Sequence, residues 1–409
     1  MSEFAVTIPG GESRRLKTAG KYCPADILVT SEGGAAEGLD FTDPEVVYRA
    51  TRPSDWLLLP VPSDTEMYFL GHLIDGIDNQ FMVKLVFSGA CTIEFGNLVN
   101  GVFSVKESIV PVSGTAFYHM LNYDDYGDET ADGYRQYIVR ISGSNISEVL
   151  GTNVNTADTP SNIVEFVCGI PLGVFRANGS GVSSGMNKTF VNTEYIRFVG
   201  NGLPGFMSMP FANCYALKAV ICESAASPSY FSYVFYNCSN LIAFSPNLLG
   251  GKVLEWTNAF SSCNILKLPN MNIKCKGMKN TFNSSTLKLF NGDQIDTSEA
   301  ANMDMSFADN KVLTEVRNIN ISSLTSANNI FYNAINLQKL TFTGETTPGG
   351  ITVKLTESKL SHTALVNMIN SLPTAIASAT ITLTGNPGAA ELTDAEIAVA
   401  TARNWTVVI

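Results

Sequence analysis

Between Phe190 and Phe342 one short unit recurs: a phenylalanine, a small residue three places later and a leucine six places later. The clearest copies are "FANCYAL" from Phe211, "FYNCSNL" from Phe235, "FSSCNIL" from Phe260 and "FYNAINL" from Phe331. "FADNKVL" from Phe307 places Asn310 in the small slot, "FNSSTL" from Phe282 brings its Leu287 one place early, and "FVNTEYI" from Phe190 is a degenerate first copy. Successive phenylalanines are separated by 21, 24, 25, 22, 25 and 24 residues, a period in the range of stacked repeats. A unit of that length cannot bury its own apolar face. Phe and Leu at fixed phase must therefore stack on their equivalents in the next coil and form one continuous core, which makes this stretch a solenoid.

Leu217, Leu241, Leu266, Leu313 and Leu337 form one expected ladder. Apolar residues often follow each leucine at plus three and plus five, as in Leu337, Leu340 and Phe342, the alternation of a short strand with one buried face. That phase turns Ile221, Ser245, Arg317 and Thr341 toward the open face. Their lack of a common pattern is what a recognition surface would show, although solvated strand positions are the commoner origin of such variation. Cys214, Cys238 and Cys263 share one slot, which later repeats fill with Ser285, Asn310 and Ala334. The slot demands a small residue rather than a thiolate, although neighbouring coils lie near enough for a disulfide.

The remaining text sets the fold class as mainly β with some α. Residues 1–38 read as a small N-terminal β unit that docks to something else, since they are too few to fold alone. Residues 39–150, with "FMVKLVFSGACTIEFG" and "RQYIVRISG", read as a β-sandwich or jelly roll. Residues 151–189 are transitional, 190–345 are the repeats, and 346–409 form a mixed α/β cap. In the cap, Ser361 starts a helix with Leu365, Met368, Ile369 and Leu372 on one face, and Thr393 with Glu396 makes a capping box.

Composition narrows the function. Net charge is -11 and only 15% of the 409 residues are charged, which disfavours a nucleic-acid partner. No apolar run reaches the roughly 20 residues that cross a bilayer, so membrane insertion is not expected. The start "MSEFAVTIPGGESRRLK" lacks the basic-then-apolar order of a signal peptide. His72, His119 and His362 lie in separate contexts with no adjacent nucleophile or ligand, so no catalytic residue is assigned. In "GSGVSSGMNKT" Met186 and Asn187 stand between Gly185 and Lys188, where a phosphate loop needs Lys directly after the glycine, so the stretch reads as a linker. The acidic cluster near Asp124 offers Asp128 and Asp132 as weak calcium ligands, but Val139 stands where a closing Glu belongs. No other cofactor is indicated.

The copies "FYNCSNL" and "FANCYAL" resemble the leucine-rich repeats of BspA-like bacterial surface proteins. The opening "TIPGGESRRLKTAGKYCPADILVT" and the close "LTDAEIAVATARNWTVVI" are similar to the ends of tail-associated proteins of phages and prophages of gut anaerobes. The two resemblances imply a non-enzymatic tail, baseplate or fibre protein that binds a host-surface protein or glycan through its repeats. Other virion proteins would be its docking partners, a homo-oligomer is compatible, and its location would be the virion, after synthesis in the host cytoplasm. An exported adhesin and a tail-associated cell-wall glycan hydrolase are the alternatives.

Overall fold

In a computed structural model the described residues are 4–5, 14–16, 27–29, 43–127, 129–152, 161–177, 189–200, 209–226, 228, 231–250, 254–265, 268–269, 271 and 273–409. At the N-terminus β1 (Phe4–Ala5) runs parallel to β3 (Ile27–Val29), and β2 (Arg14–Leu16) pairs antiparallel on its other side. The rest of the expected docking unit lies outside the described residues. Helix α1 (Pro44–Thr51) begins at Asp43, whose carboxylate accepts from the N–H of Glu45, and Pro44 fits the first turn because its missing N–H is not needed there.

The next strands are β4 (Glu66–Leu73), β5 (Asn79–Phe87), β6 (Cys91–Val99), β7 (Val102–Ile109), β8 (Ala116–Leu121), β9 (Arg135–Gly143) and β10 (Ile146–Leu150). They are followed by β11 (Ile163–Cys168), β12 (Val174–Arg176), β13 (Tyr195–Phe198), β14 (Ala219–Cys222) and β15 (Ala243–Phe244). Two sheets result, in the orders β15-β14-β13-β11-β4-β9-β6-β7 and β12-β10-β5-β8. They pack through Phe69, Phe81 and Phe95, rings 5.2 and 5.6 Å apart and all fully buried. The larger sheet changes character at β11, which pairs antiparallel with β4 and parallel with β13. No break therefore separates the antiparallel part from the repeats. One apolar core runs from Met67 to Trp405.

Farther along come β16 (Leu254–Glu255), β17 (Ile273–Gly277), β18 (Leu289–Asn291), β19 (Ile295–Asp296), β20 (Glu315–Asn320) and β21 (Lys339–Thr343). The chain ends with β22 (Thr346–Thr347), β23 (Thr352–Lys354), α2 (His362–Ser371), β24 (Thr374–Ala375), β25 (Ala379–Thr382), α3 (Asp394–Thr401) and β26 (Trp405–Val408). Parallel pairing of these strands completes a β-solenoid of about nine turns in a mainly β chain. The Thr393–Glu396 capping box is formed, and Ser361 caps α2.

Inside the repeats, Phe211, Phe235, Phe260, Phe282, Phe307 and Phe331 stack face to face at 5.3, 5.6, 5.6, 5.7 and 5.4 Å. The first copy differs from its sequence reading. Tyr195 pairs with Ala219, and carrying this register back puts Phe190 level with Cys214, not Phe211. The ring that meets Phe211 is Phe175, 5.7 Å away. Leu266 lies outside the described residues, while the adjacent Ile265 is buried.

The turn around each phenylalanine explains the letters beside it. Residues two before and two after the ring have positive φ in all six coils, for example Tyr233 at 58° and Asn237 at 60°, or Asn280 and Ser284 at 55°. The later of these positions reads Asn213, Asn237, Ser262, Ser284, Asp309 and Asn333, and Asn and Asp are the side chains that tolerate the left-handed region best. This alternation aims N–H groups at the next coil. Tyr233, Phe235 and Asn237 donate to the carbonyls of Thr257, Ala259 and Ser261 at 2.8–2.9 Å.

Candidate recognition surfaces

The small slot is a hydrogen-bonding position as well as a packing one. The Cys238 thiol donates to the Phe211 carbonyl at 3.0 Å and the Cys263 thiol to that of Phe235 at 2.8 Å. In the corresponding slot Asn310 donates to the Leu287 carbonyl at 3.0 Å. Cys91, Cys168, Cys214, Cys222, Cys238, Cys263 and Cys275 are all free and buried. Burial pushes the Cys91 thiol up to about 11 and those of Cys168 and Cys222 to about 12, the opposite of what a reactive thiolate requires.

The four expected surface residues divide into two pairs. Ile221 is on the side of the sheet away from the Phe ladder, yet it is buried with Tyr48, Val167, Tyr195 and Ala219 because α1 lies over these strands. Small outward side chains, Ala219 and Ala243, give the helix room. Tyr48 stacks on Tyr195 at 4.5 Å and donates its hydroxyl to Glu165 at 2.8 Å. Arg52 pairs with the same buried carboxylate and donates to the Leu57 carbonyl at 2.7 Å. Arg197 reaches Glu45 of the helix at 3.1 Å and Glu223 at 2.6 Å. Ser245 is also buried, its hydroxyl donating to the Cys222 carbonyl at 2.9 Å. Neither Ile221 nor Ser245 belongs to an open face, because alternation specifies the side of a sheet and not what covers it.

Arg317 and Thr341 lie beyond the reach of α1, where the outward strand face is open. Arg317 is half exposed and pairs with Glu315 at 2.6 Å; Lys339, in register with Glu315 on the next strand, is more exposed still. Thr341 is half-buried, its hydroxyl donating to Asn318 Oδ1 at 3.1 Å. On β17 the exposed Lys274 meets Asp296 and Glu299 at 3.5 and 3.3 Å, and Lys276 is exposed beside it. This face carries alternating charges. The opposite face, made of the turns around the phenylalanines, carries tyrosines and amides in its first three turns, with Lys279, Asp309 and Lys311 farther on.

The acidic loop is tied to the strand that follows it. Asp124 pairs with Arg135 at 3.2 Å, and Arg135 lies over the Tyr123 ring. Asp132 is exposed on a turn, Asp128 lies outside the described residues, and no group of three or more candidate ligands assembles among the described residues. His72 is buried between Trp56 and Tyr134, and burial holds its imidazole down at about 4. His119 and His362 face Glu107 and Glu396, at 3.0 and 3.1 Å.

Comparison with protein-family models, curated proteins and solved structures found no match. Among the described residues no helix is long and apolar enough to cross a membrane.

Proposed function

We propose that this chain is a non-enzymatic attachment protein of a phage-type tail, whose solenoid meets a host-cell surface. In this reading the two packed sheets are a β-sandwich base, the coils are leucine-rich repeats of BspA-like type, and α2, α3 and β26 are the terminal cap. The observation that carries the proposal is the contrast along the strand face. Helix α1 closes it at β13 and β14, whereas around Arg317 and Lys339 it is open, charged and mounted on a row of stacked rings. A rigid face spends little ordering entropy on binding, and several copies on one particle would multiply weak contacts.

The test is saturable binding of the full chain to intact candidate host cells, with the Arg317→Glu/Lys339→Glu variant beside it. The expected result is binding that the variant weakens several-fold while the melting temperature falls by no more than the few degrees that a like-charged pair opposite Glu315 costs. Absence of binding to every candidate host would overturn the proposal, and release of sugar or muropeptide from the cells would replace it with a hydrolase.

A further inference from the structure

Three consecutive turns of the solenoid, residues 209–217, 231–241 and 256–265, contain no charged residue, although charged residues make up 15% of the chain. Aromatic and amide side chains occupy the surface there instead. Tyr215 is 36% exposed, and Tyr233 and Tyr236 are half-buried with their rings 5.7 Å apart. Asn237 donates to Asn213 Oδ1 at 3.2 Å and to the Tyr215 hydroxyl at 3.3 Å, which leaves that hydroxyl its own hydrogen to donate. Asn240, exposed, donates to the Tyr215 carbonyl at 2.7 Å. Four coils later the motif returns with Tyr332 at 56% exposure beside Asn333 and Asn336.

We infer that this turn row binds a neutral glycan. The inference deepens the attachment reading and rests on it. A neutral sugar presents hydroxyls that pair with amides and tyrosine hydroxyls, together with C–H faces that lie against aromatic rings, and it gains nothing from fixed charges. A row without charges avoids stripping ions of water, and tyrosine supplies contact area with little rotamer entropy to lose. The spacing agrees as well. Ring centroids beneath the row are 5.3 and 5.6 Å apart from coil to coil, and a pyranose in an extended chain advances by a similar step, so successive sugars would meet successive coils. A protein partner of the strand face would depend on salt, and a glycan on the turn row would not.

The experiment is retardation of the full chain in gels containing soluble β-glucan, mannan or dextran, with heparin as the charged control. At least one neutral polymer should retard it equally at low and high salt. Tyr215→Ala/Tyr236→Ala should weaken that retardation roughly fivefold or more, the scale of a lost interface aromatic, while melting temperature holds. Arg317→Glu/Lys339→Glu should leave it unchanged. Retardation by heparin alone, by no polymer, or equally for the tyrosine variant would overturn the inference. Cell binding weakened by the Arg317 variant alone would then keep the attachment reading without the glycan.

Discussion

Replacing Phe282 by alanine tests whether the solenoid is held by its ring ladder. Phe282 is fully buried and stacks on Phe260 at 5.6 Å and Phe307 at 5.7 Å. Truncating a buried phenylalanine costs about 3–5 kcal/mol, of which each stacked partner contributes about 0.5–1.5 kcal/mol. Phe331 is equally buried but, among the described residues, meets one ring, Phe307 at 5.4 Å, whereas Phe282 also meets Phe290 edge-on at 6.0 Å. With two aromatic contacts fewer, Phe331→Ala should cost about 1–3 kcal/mol less than Phe282→Ala. The readout is urea unfolding followed by tryptophan fluorescence, in variants with Trp56 and Trp405 replaced by Phe so that Trp256, buried with its ring 5.9 Å from Phe260, is the emitter, and by circular dichroism. The slope grows with the surface a chain exposes, and at about 4–5 kcal/mol per molar urea for a chain of this length Phe282→Ala should lower the midpoint by roughly 0.7–1 M. A shift of a few tenths of a molar, or a larger shift for Phe331→Ala, would refute a core built from nearest-neighbour stacking.

Three further outcomes follow from named contacts. The seven described cysteines, buried and with thiols pushed up where a shift is seen, should resist iodoacetamide at pH 8 and react only after denaturation; mass spectrometry that finds Cys238 or Cys263 labelled in the folded chain would contradict this. His72 titrates near 4 when folded, mainly through burial and secondarily through Arg52, against about 6.5 unfolded, so the unfolded chain binds the extra proton between these values. Stability should be full above pH 6.5 and fall by about 3 kcal/mol toward pH 4; a His72→Phe variant whose melting temperature drops as steeply as wild type would exclude His72 as the cause. Glu165→Ala strands the buried Arg52 and should cost about 3 kcal/mol, whereas Tyr48→Phe/Arg52→Met/Glu165→Leu, which also removes the hydroxyl that Glu165 accepts from, should recover part of it, as measured by thermal unfolding.

The ladder was legible because Phe and Leu recur at a fixed phase and only stacking can bury them. The chemistry between those letters was less visible. The asparagine before the small residue marks a left-handed backbone position, as at Asn213, Asn237 and Asn333, and the cysteine after it donates to the coil before. Both signals were present in "FYNC", but neither has a meaning until the carbonyls it serves are placed. Phe190 misled because it shares the letter of the ladder while the strand register assigns it to the next slot. Ile221 and Ser245 were unreadable for another reason. What covers Ile221 is α1, more than 160 residues earlier, and no local periodicity records a contact made at that separation.

Strand β11 decides how recognition can be mapped. Its Phe166 packs on Phe69 of the antiparallel part at 4.7 Å and on Phe198 of the first coil at 6.0 Å, and Phe175 meets Phe198 and Phe211 at 5.1 and 5.7 Å. Deleting residues 190–345 would remove β13, leave the backbone donors and acceptors of β11 unpaired along that edge, and bare both rings to water. An open, apolar edge of this kind pairs with other chains. The deleted chain should therefore elute as aggregate in size-exclusion chromatography, and its loss of cell binding would report misfolding rather than a missing receptor site. A monomeric, cooperatively melting deletion would show instead that the antiparallel sheets close their own core. With the core shared across β11, the proposed recognition has to be tested at exposed side chains such as Arg317, Lys339 and Tyr215, whose replacement leaves the ladder intact.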